Sequence, residues 1–214
     1  MGLATLLVLA DGRLPSGGHA HSGGLEAQIS AGRVREIDSV AGFLRGKLAT
    51  SGLVAAAFAA AACARPGEWA SLDAGLDART PSPALRKASR AQGRALLRAA
   101  RAMWPLPAVG RDPHQAVALG VVASAAGLGV TEAAVAAAHG TIAGPASAAV
   151  RLLGLDPYAV HGLLARLADE CDRTAALAAA RSGDPVDDLP AAGAPLLDIG
   201  AELHATWEVR LFAS

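Results

Sequence analysis

The sequence predicts an all-α protein built as one helical bundle of roughly eight to ten helices, followed by a C-terminal docking tail. Three observations carry this. Apolar residues recur at spacings of three and four along most of the 214 residues. Hydrophobic residues make up 52% of the chain but aromatics only 3%, so the apolar mass is Ala, Leu and Val, which pack as closely approaching helices. No stretch alternates apolar and polar residues as a half-buried strand would. A single domain over residues 1–214 suits this length and leaves enough chain to bury a sizeable core.

Taken in order, residues 1–10 are apolar but lack a preceding Lys or Arg and are too short for a secretory leader. Leu6 stands where a myristoylation motif requires Ser or Thr. Then comes the run Leu14-Pro15-Ser16-Gly17-Gly18-His19-Ala20-His21-Ser22-Gly23-Gly24-Leu25-Glu26, in which two Gly pairs bracket a His-Ala-His-Ser core just before a helical pattern opens at Leu25 and Ile29. Glycine tolerates positive φ and close backbone approach, so the run reads as a shaped turn at the mouth of a helix. The other reading is a buried loop whose glycines only permit packing.

Ile37, Val40, Phe43, Leu44 and Leu48 share one helical face, with Asp38 or Ser39 suited to its first turn. Residues 52–64 are almost wholly apolar and predict a helix buried on most sides, ended by Arg65-Pro66-Gly67. A further helix is expected over 84–104, between Thr80-Pro81-Ser82-Pro83 and Pro105-Leu106-Pro107. Helices over 115–126, 131–149 and 158–181 follow, with Thr131 and Asp156-Pro157 as start signals. Residues 182–195 form a Gly/Pro/Asp-rich loop, and 196–214 form the tail, as a short amphipathic helix or an extended segment. Its Trp207, Leu211 and Phe212 must dock somewhere, on the chain's own body or on a partner. Two apolar stretches fail as membrane spans: 53–64 is too short, and 115–131 is broken by Gly127-Leu128-Gly129. A cytoplasmic location without membrane attachment is the expectation.

The 19 basic and 19 acidic residues balance overall but segregate locally. No acid lies between Ala78 and Arg111, while Arg86, Arg90, Arg94 and Arg98 follow at i, i+4 and form a basic stripe that mildly opposes its own helix. The stripe calls for an acidic complement. Either Asp169, Glu170, Asp172, Asp184, Asp187 and Asp188 supply it internally, or an acidic partner does. Nucleic acid is not expected, because stacking aromatics are nearly absent.

Candidate chemistry is sparse. Ala20-His21-Ser22-Gly23-Gly24 resembles a serine-hydrolase nucleophile elbow with Ala for the first Gly, but the Pro-Ser-Gly-Gly before it cannot be the strand that an elbow needs. Neither Lys47 nor Lys87 sits in a phosphate-binding Gly-rich loop. Cys63 and Cys171 are far apart and read as buried thiols. No metal site is expected, the weak candidates being His19 and His21; His114, His139, His161 and His204 form no ligand pair.

The N-terminal run, Gly93-Arg94-Ala95-Leu96-Leu97, Val117-Ala118-Leu119-Gly120, Ser147-Ala148-Ala149-Val150-Arg151-Leu152-Leu153 and Arg210-Leu211-Phe212-x-Ser214, in this order, give the chain a resemblance to the UreF family of urease accessory proteins over essentially its whole length. It departs from the family pattern at His21, at Asp156-Pro157 and at Ala213. The resemblance implies an all-α protein that is not an enzyme and holds no cofactor, nickel being handled transiently by the complex. It implies a chaperone or scaffold, typically homodimeric, joining a UreD/UreH-type accessory protein and a UreG-type GTPase on apo-urease for nickel insertion. A generic helical adaptor is the alternative. Under the resemblance, the partner-binding residues are Gly17, Gly18, His19, His21, Ser22 and Glu26 of the turn, Arg86, Arg90, Arg94 and Arg98 of the stripe, and His204, Trp207, Arg210, Leu211 and Phe212 of the tail.

Overall fold

The computed structural model describes residues 2–214 and is helical throughout, with no strand among the described residues. The order is α1 Leu3–Ala10, α2 Leu25–Ser30, α3 Ile37–Lys47, α4 Leu53–Ala64, α5 Trp69–Ala78, α6 Pro83–Ala100, α7 Gln115–Ala125, α8 Val130–Leu153, α9 Pro157–Ala179 and α10 Pro195–Ala205. Short 3-10 turns occupy Gly18–Ala20 and Val186–Asp188. The helix expected over 37–48 and the apolar helix after it are one rod, because a π turn at Leu48–Gly52 joins α3 to α4 without a break. Such single π turns insert a residue into an α-helix.

Helix starts follow local chemistry. Ser39 Oγ accepts from the Glu36 N–H at 3.0 Å at the head of α3. Ser82 caps α6 by accepting from the Leu85 N–H at 3.1 Å, with Pro83 in the first turn. Asp156 caps α9 through the N–H groups of Tyr158 and Ala159, ahead of Pro157. Thr131 does not start α8; the N-cap is Gly129, whose N–H is held by the Glu132 carboxylate at 3.1 Å. α1 and α5 are additions to the expected set. α5 is short and carries Gly75 within it, and only Leu72 and Leu76 are buried from it, too few apolar positions to stand out in sequence.

α4 runs through the centre, packed on α7, α8 and α9, and Ala56 to Ala62 are fully buried. Its small side chains let backbones approach: a Cβ at Gly120 of α7 would run into the Ala59 carbonyl of α4. A second, smaller cluster gathers Phe58, Leu72, Leu76, Val117 and Leu189. Arg79 lies 5.2 Å from the Phe58 ring centre and donates to the carbonyls of Val186, Leu189 and Pro190, which organises the loop over 182–195. The apolar rod Ile37–Ala64 and helix Val130–Leu153 are each long and apolar enough to span a membrane, so the shortness argued for 53–64 does not hold. Over half of each rod's apolar window is buried against the rest of the protein, as in core helices of a bundle.

A candidate docking surface

The Gly-rich turn is shaped by Gly17, Gly23 and Gly24, at φ +78°, +61° and +91°. Gly23 also faces Pro145 of α8, and a Cβ there would come within 2.9 Å of the proline ring. Gly18 is different from the expectation: its φ is not positive, and a Cβ would meet only the Ser16 hydroxyl at 4.0 Å.

Over this turn the last residues lie as an extended strap. The Ala213 N–H donates to the Ala20 carbonyl at 2.7 Å, and the Ser22 N–H to the Ser214 main-chain oxygen at 2.6 Å. The Ser22 hydroxyl donates to that same oxygen at 2.8 Å and accepts from the Glu26 N–H at 3.2 Å. His21 Nδ1 lies 2.7 Å from the Ser214 hydroxyl. The Glu26 carboxylate accepts from the Leu211 N–H at 2.9 Å, the Phe212 N–H at 3.1 Å and the His204 side chain. Phe212 inserts into the main core beneath the Arg151 guanidinium, 4.7 Å from the ring centre.

Ser22, Glu26, His204 and Phe212 are therefore buried and engaged within the chain. The tail's anchor rests on its own body. The outward features of this region are His19, Val209, Arg210 and Leu211, while Gly17, Gly18 and His21 are half-buried and Trp207 leans on His204 with ring centres 4.7 Å apart. Burial, and behind it the neighbouring His19, push the His21 imidazole below its ordinary range. No group of three or more His, Cys, Asp or Glu side chains among the described residues converges as a metal site, so His19 and His21 stand as a pair without further ligands.

The basic stripe has its complement close by, in residues that frame the acid-free stretch rather than in the C-terminal acidic cluster. Arg90 pairs with Asp73 and Asp77 of α5, both at 2.9 Å. Arg94 pairs with Asp112 at 3.2 Å, and Arg86 lies 3.9 Å from Asp77. Arg98 is exposed, with no carboxylate in reach among the described residues. Of the acids expected to supply the complement, Glu170 pairs with Arg45 and Asp184 with Arg181. Beneath the stripe, His114 is buried, its Nδ1 3.0 Å from the Ser89 hydroxyl and its Nε2 2.9 Å from Asp77. Burial outweighs Asp77 and lowers the His114 basicity; Asp77, held foremost by the His114 hydrogen bond and then by Arg90, lies below the usual carboxylate range. The trio looks like a hydrolase relay, but His114 is sealed from solvent and the Ser89 hydroxyl accepts from the Gln115 N–H at 3.1 Å, fixing the start of α7.

One feature was missed in the sequence. Leu196, Ile199 and Leu203 of α10, spaced three and four apart, form an exposed apolar ridge that Val209 and Leu211 extend, each more than half exposed. The signal was the helical spacing itself. α10 is held from behind by Glu202, whose carboxylate takes the Ser82 hydroxyl and, at 2.9 Å, the Ala84 N–H. Contiguous exposed apolar side chains of this kind are the usual composition of protein-docking surfaces.

The described body is all helical, with the Gly-rich turn anchored internally and an apolar ridge turned outward. The UreF family model matches residues 34–168. Proteins named urease accessory protein UreF are similar over 99% of both chains: 48% identical in Mycobacterium marinum, 47% in Mycobacterium sp. strain JLS and 43% in Mycobacterium tuberculosis. The chain belongs to the UreF family of urease accessory proteins.

Proposed function

We propose that the chain is a scaffold for urease maturation, bridging a UreD/UreH-type accessory protein and a UreG-type GTPase on apo-urease so that nickel passes to the enzyme. It works in the cytoplasm as a homodimer and keeps no cofactor of its own. The observation that carries this reading is the ridge of Leu196, Ile199 and Leu203, a face that its own fold leaves uncovered. Family membership supplies the urease context for that face.

The test is co-purification with a UreD/UreH-type partner after Ile199→Glu and Leu203→Glu together. Both positions are exposed, so helical circular dichroism should hold while the complex is lost. Retention of the complex would overturn the ridge as the docking face. Complementation of a urease-positive host lacking its own copy separates the scaffold from a generic helical adaptor, which would not restore urease activity.

The hydrolase reading has no support in the geometry of Ser22. Its hydroxyl is buried, hydrogen-bonded on both sides and preceded by a 3-10 turn instead of a strand.

A further inference from the structure

α6 carries its cations in two rows with different fates. Arg86 and Arg90 turn towards α5, where Asp73 and Asp77 compensate them. Lys87, Arg94, Arg98 and Arg101 follow at steps of seven, four and three, which aligns them along one outward line of the helix. All four are exposed, and the line they form is about 21 Å long at roughly 1.5 Å per residue. Arg94 has an acidic neighbour, Asp112 at 3.2 Å, and both side chains of that pair are about half exposed. Among the described residues, Lys87, Arg98 and Arg101 enter no ion pair.

The fold does not account for this outer row. Like charges three and four residues apart weaken the helix that bears them. The helix dipole favours Arg98 and Arg101 at the C-terminal end but gives Lys87, near the other end, nothing. The inner row is fully paired within the chain, so the outer one is left for an anion from outside. The charges of the whole chain balance, so no long-range field draws a nucleic acid to it. Beside the row on α6 lie Ala84, Ala91 and Ala95, which offer no ring for a base to stack on and no large apolar side chain to enter a bilayer. Small side chains do let a second helix come close.

We propose that this outer row docks a helix of a protein partner whose carboxylates recur every three or four residues along one line. The two helices lie side by side, and because both rise equally per residue their opposite charges stay in step over the length of the row. The site is separate from the apolar ridge of α10 and does not depend on it.

The test is NMR titration of the isotope-labelled full chain with two helical peptides of about 22 residues, enough to cover the row. One carries its Glu residues along a single line, the other the same composition with Glu spread around the helix. The single-line peptide should bind saturably, with shifts confined to α6 and its neighbours, and at least about threefold tighter than its isomer. Lys87→Gln, Arg98→Gln and Arg101→Gln together should weaken it about tenfold or more, the combined weight of three exposed ion pairs. Arg166→Gln with Arg173→Gln, exposed cations of α9, should leave it within about twofold. Binding should fade as salt is raised from about 50 to 300 mM. No saturable binding, equal binding of the isomer, or an unchanged affinity in the triple variant would each overturn the proposal. A short DNA duplex and vesicles of phosphatidylserine and phosphatidylcholine complete the set; tighter binding of either through the same residues would assign the row to phosphates and overturn it as well.

Discussion

Glu26 Oε2 accepts a hydrogen bond from His204 Nε2 at 2.8 Å, tying together residues 178 positions apart. The same carboxylate takes the N–H groups of Leu211 and Phe212, so one side chain on α2 fixes both the end of α10 and the strap beyond it. Burial pushes this carboxyl up, but the hydrogen bonds from His204, Leu211 and Phe212 together outweigh it and hold the value below 4.5.

Glu26→Gln should therefore free the strap without melting the bundle. The amide cannot accept all three donors, and we expect a loss of about 2–4 kcal/mol, typical of a broken buried charged network. Limited proteolysis should cut within residues 207–214 while helical circular dichroism changes little. In the parent chain the contribution is fully present above pH 4.5 and disappears as pH falls through the lower folded-state value. Urea midpoints of parent and variant should converge there; a constant gap down to the acid limit would show that Glu26 titrates as in the unfolded chain.

Arg90 and Arg98 belong to one stripe but should behave oppositely. Arg90→Ala leaves Asp73 and Asp77 facing each other across a half-buried site and should cost about 1–3 kcal/mol. Arg98→Ala should stay within about 0.5 kcal/mol in denaturant titration. Reversing Arg98 to Glu should instead weaken complex formation at low salt and less so at physiological salt, where the Debye length is roughly 8 Å. A salt-independent loss would contradict an electrostatic role.

Gly23→Ala and Gly18→Ala offer a matched pair. Ala at Gly23 must adopt φ +61° and crowd Pro145, so a loss of about 1–3 kcal/mol is expected. Ala at Gly18 should be nearly neutral in thermal melts. If both lose alike, the turn's shape is not set by these contacts.

Lys47 should make stability rise with pH. Its folded-state value of about 8 lies below its ordinary 10.5, so the unfolded chain binds more protons between the two and the cost of enclosing the charge fades across that interval. The gap in urea midpoint between Lys47→Met and the parent should shift in the parent's favour from pH 8 to 10.5. A flat difference would indicate an ammonium in contact with water.

The long helices were legible because their caps are local: Ser82 with Pro83 and Asp156 with Pro157 announce α6 and α9 without reference to the rest of the fold. α5 was not, since Leu72 and Leu76 alone mark its buried face. In the candidate site, the glycines of the turn were visible as residue types, but their separate tasks depend on Pro145 and on φ values that no spacing reports. The partners of Arg90 were hidden for the same reason. Asp73 and Asp77 share no pattern with α6 and meet it only once α5 folds back. Phe212 and Leu211 are neighbours with opposite fates, one in the core and one in solvent, and only the path of an extended strap decides which is which.

The π turn at Leu48–Gly52 acts as a gearing between two halves of one rod. Each residue of an α-helix advances the azimuth by about 100°, and the wide turn absorbs one such step, so tightening it to plain α geometry with every residue retained would swing everything upstream by roughly that angle relative to α4. Val40 and Leu44 would leave the core, and the Lys47 ammonium would lose the Gly23 carbonyl. The orientation of α3, and with it the closure of the Gly-rich turn, thus hangs on the widening of a single turn.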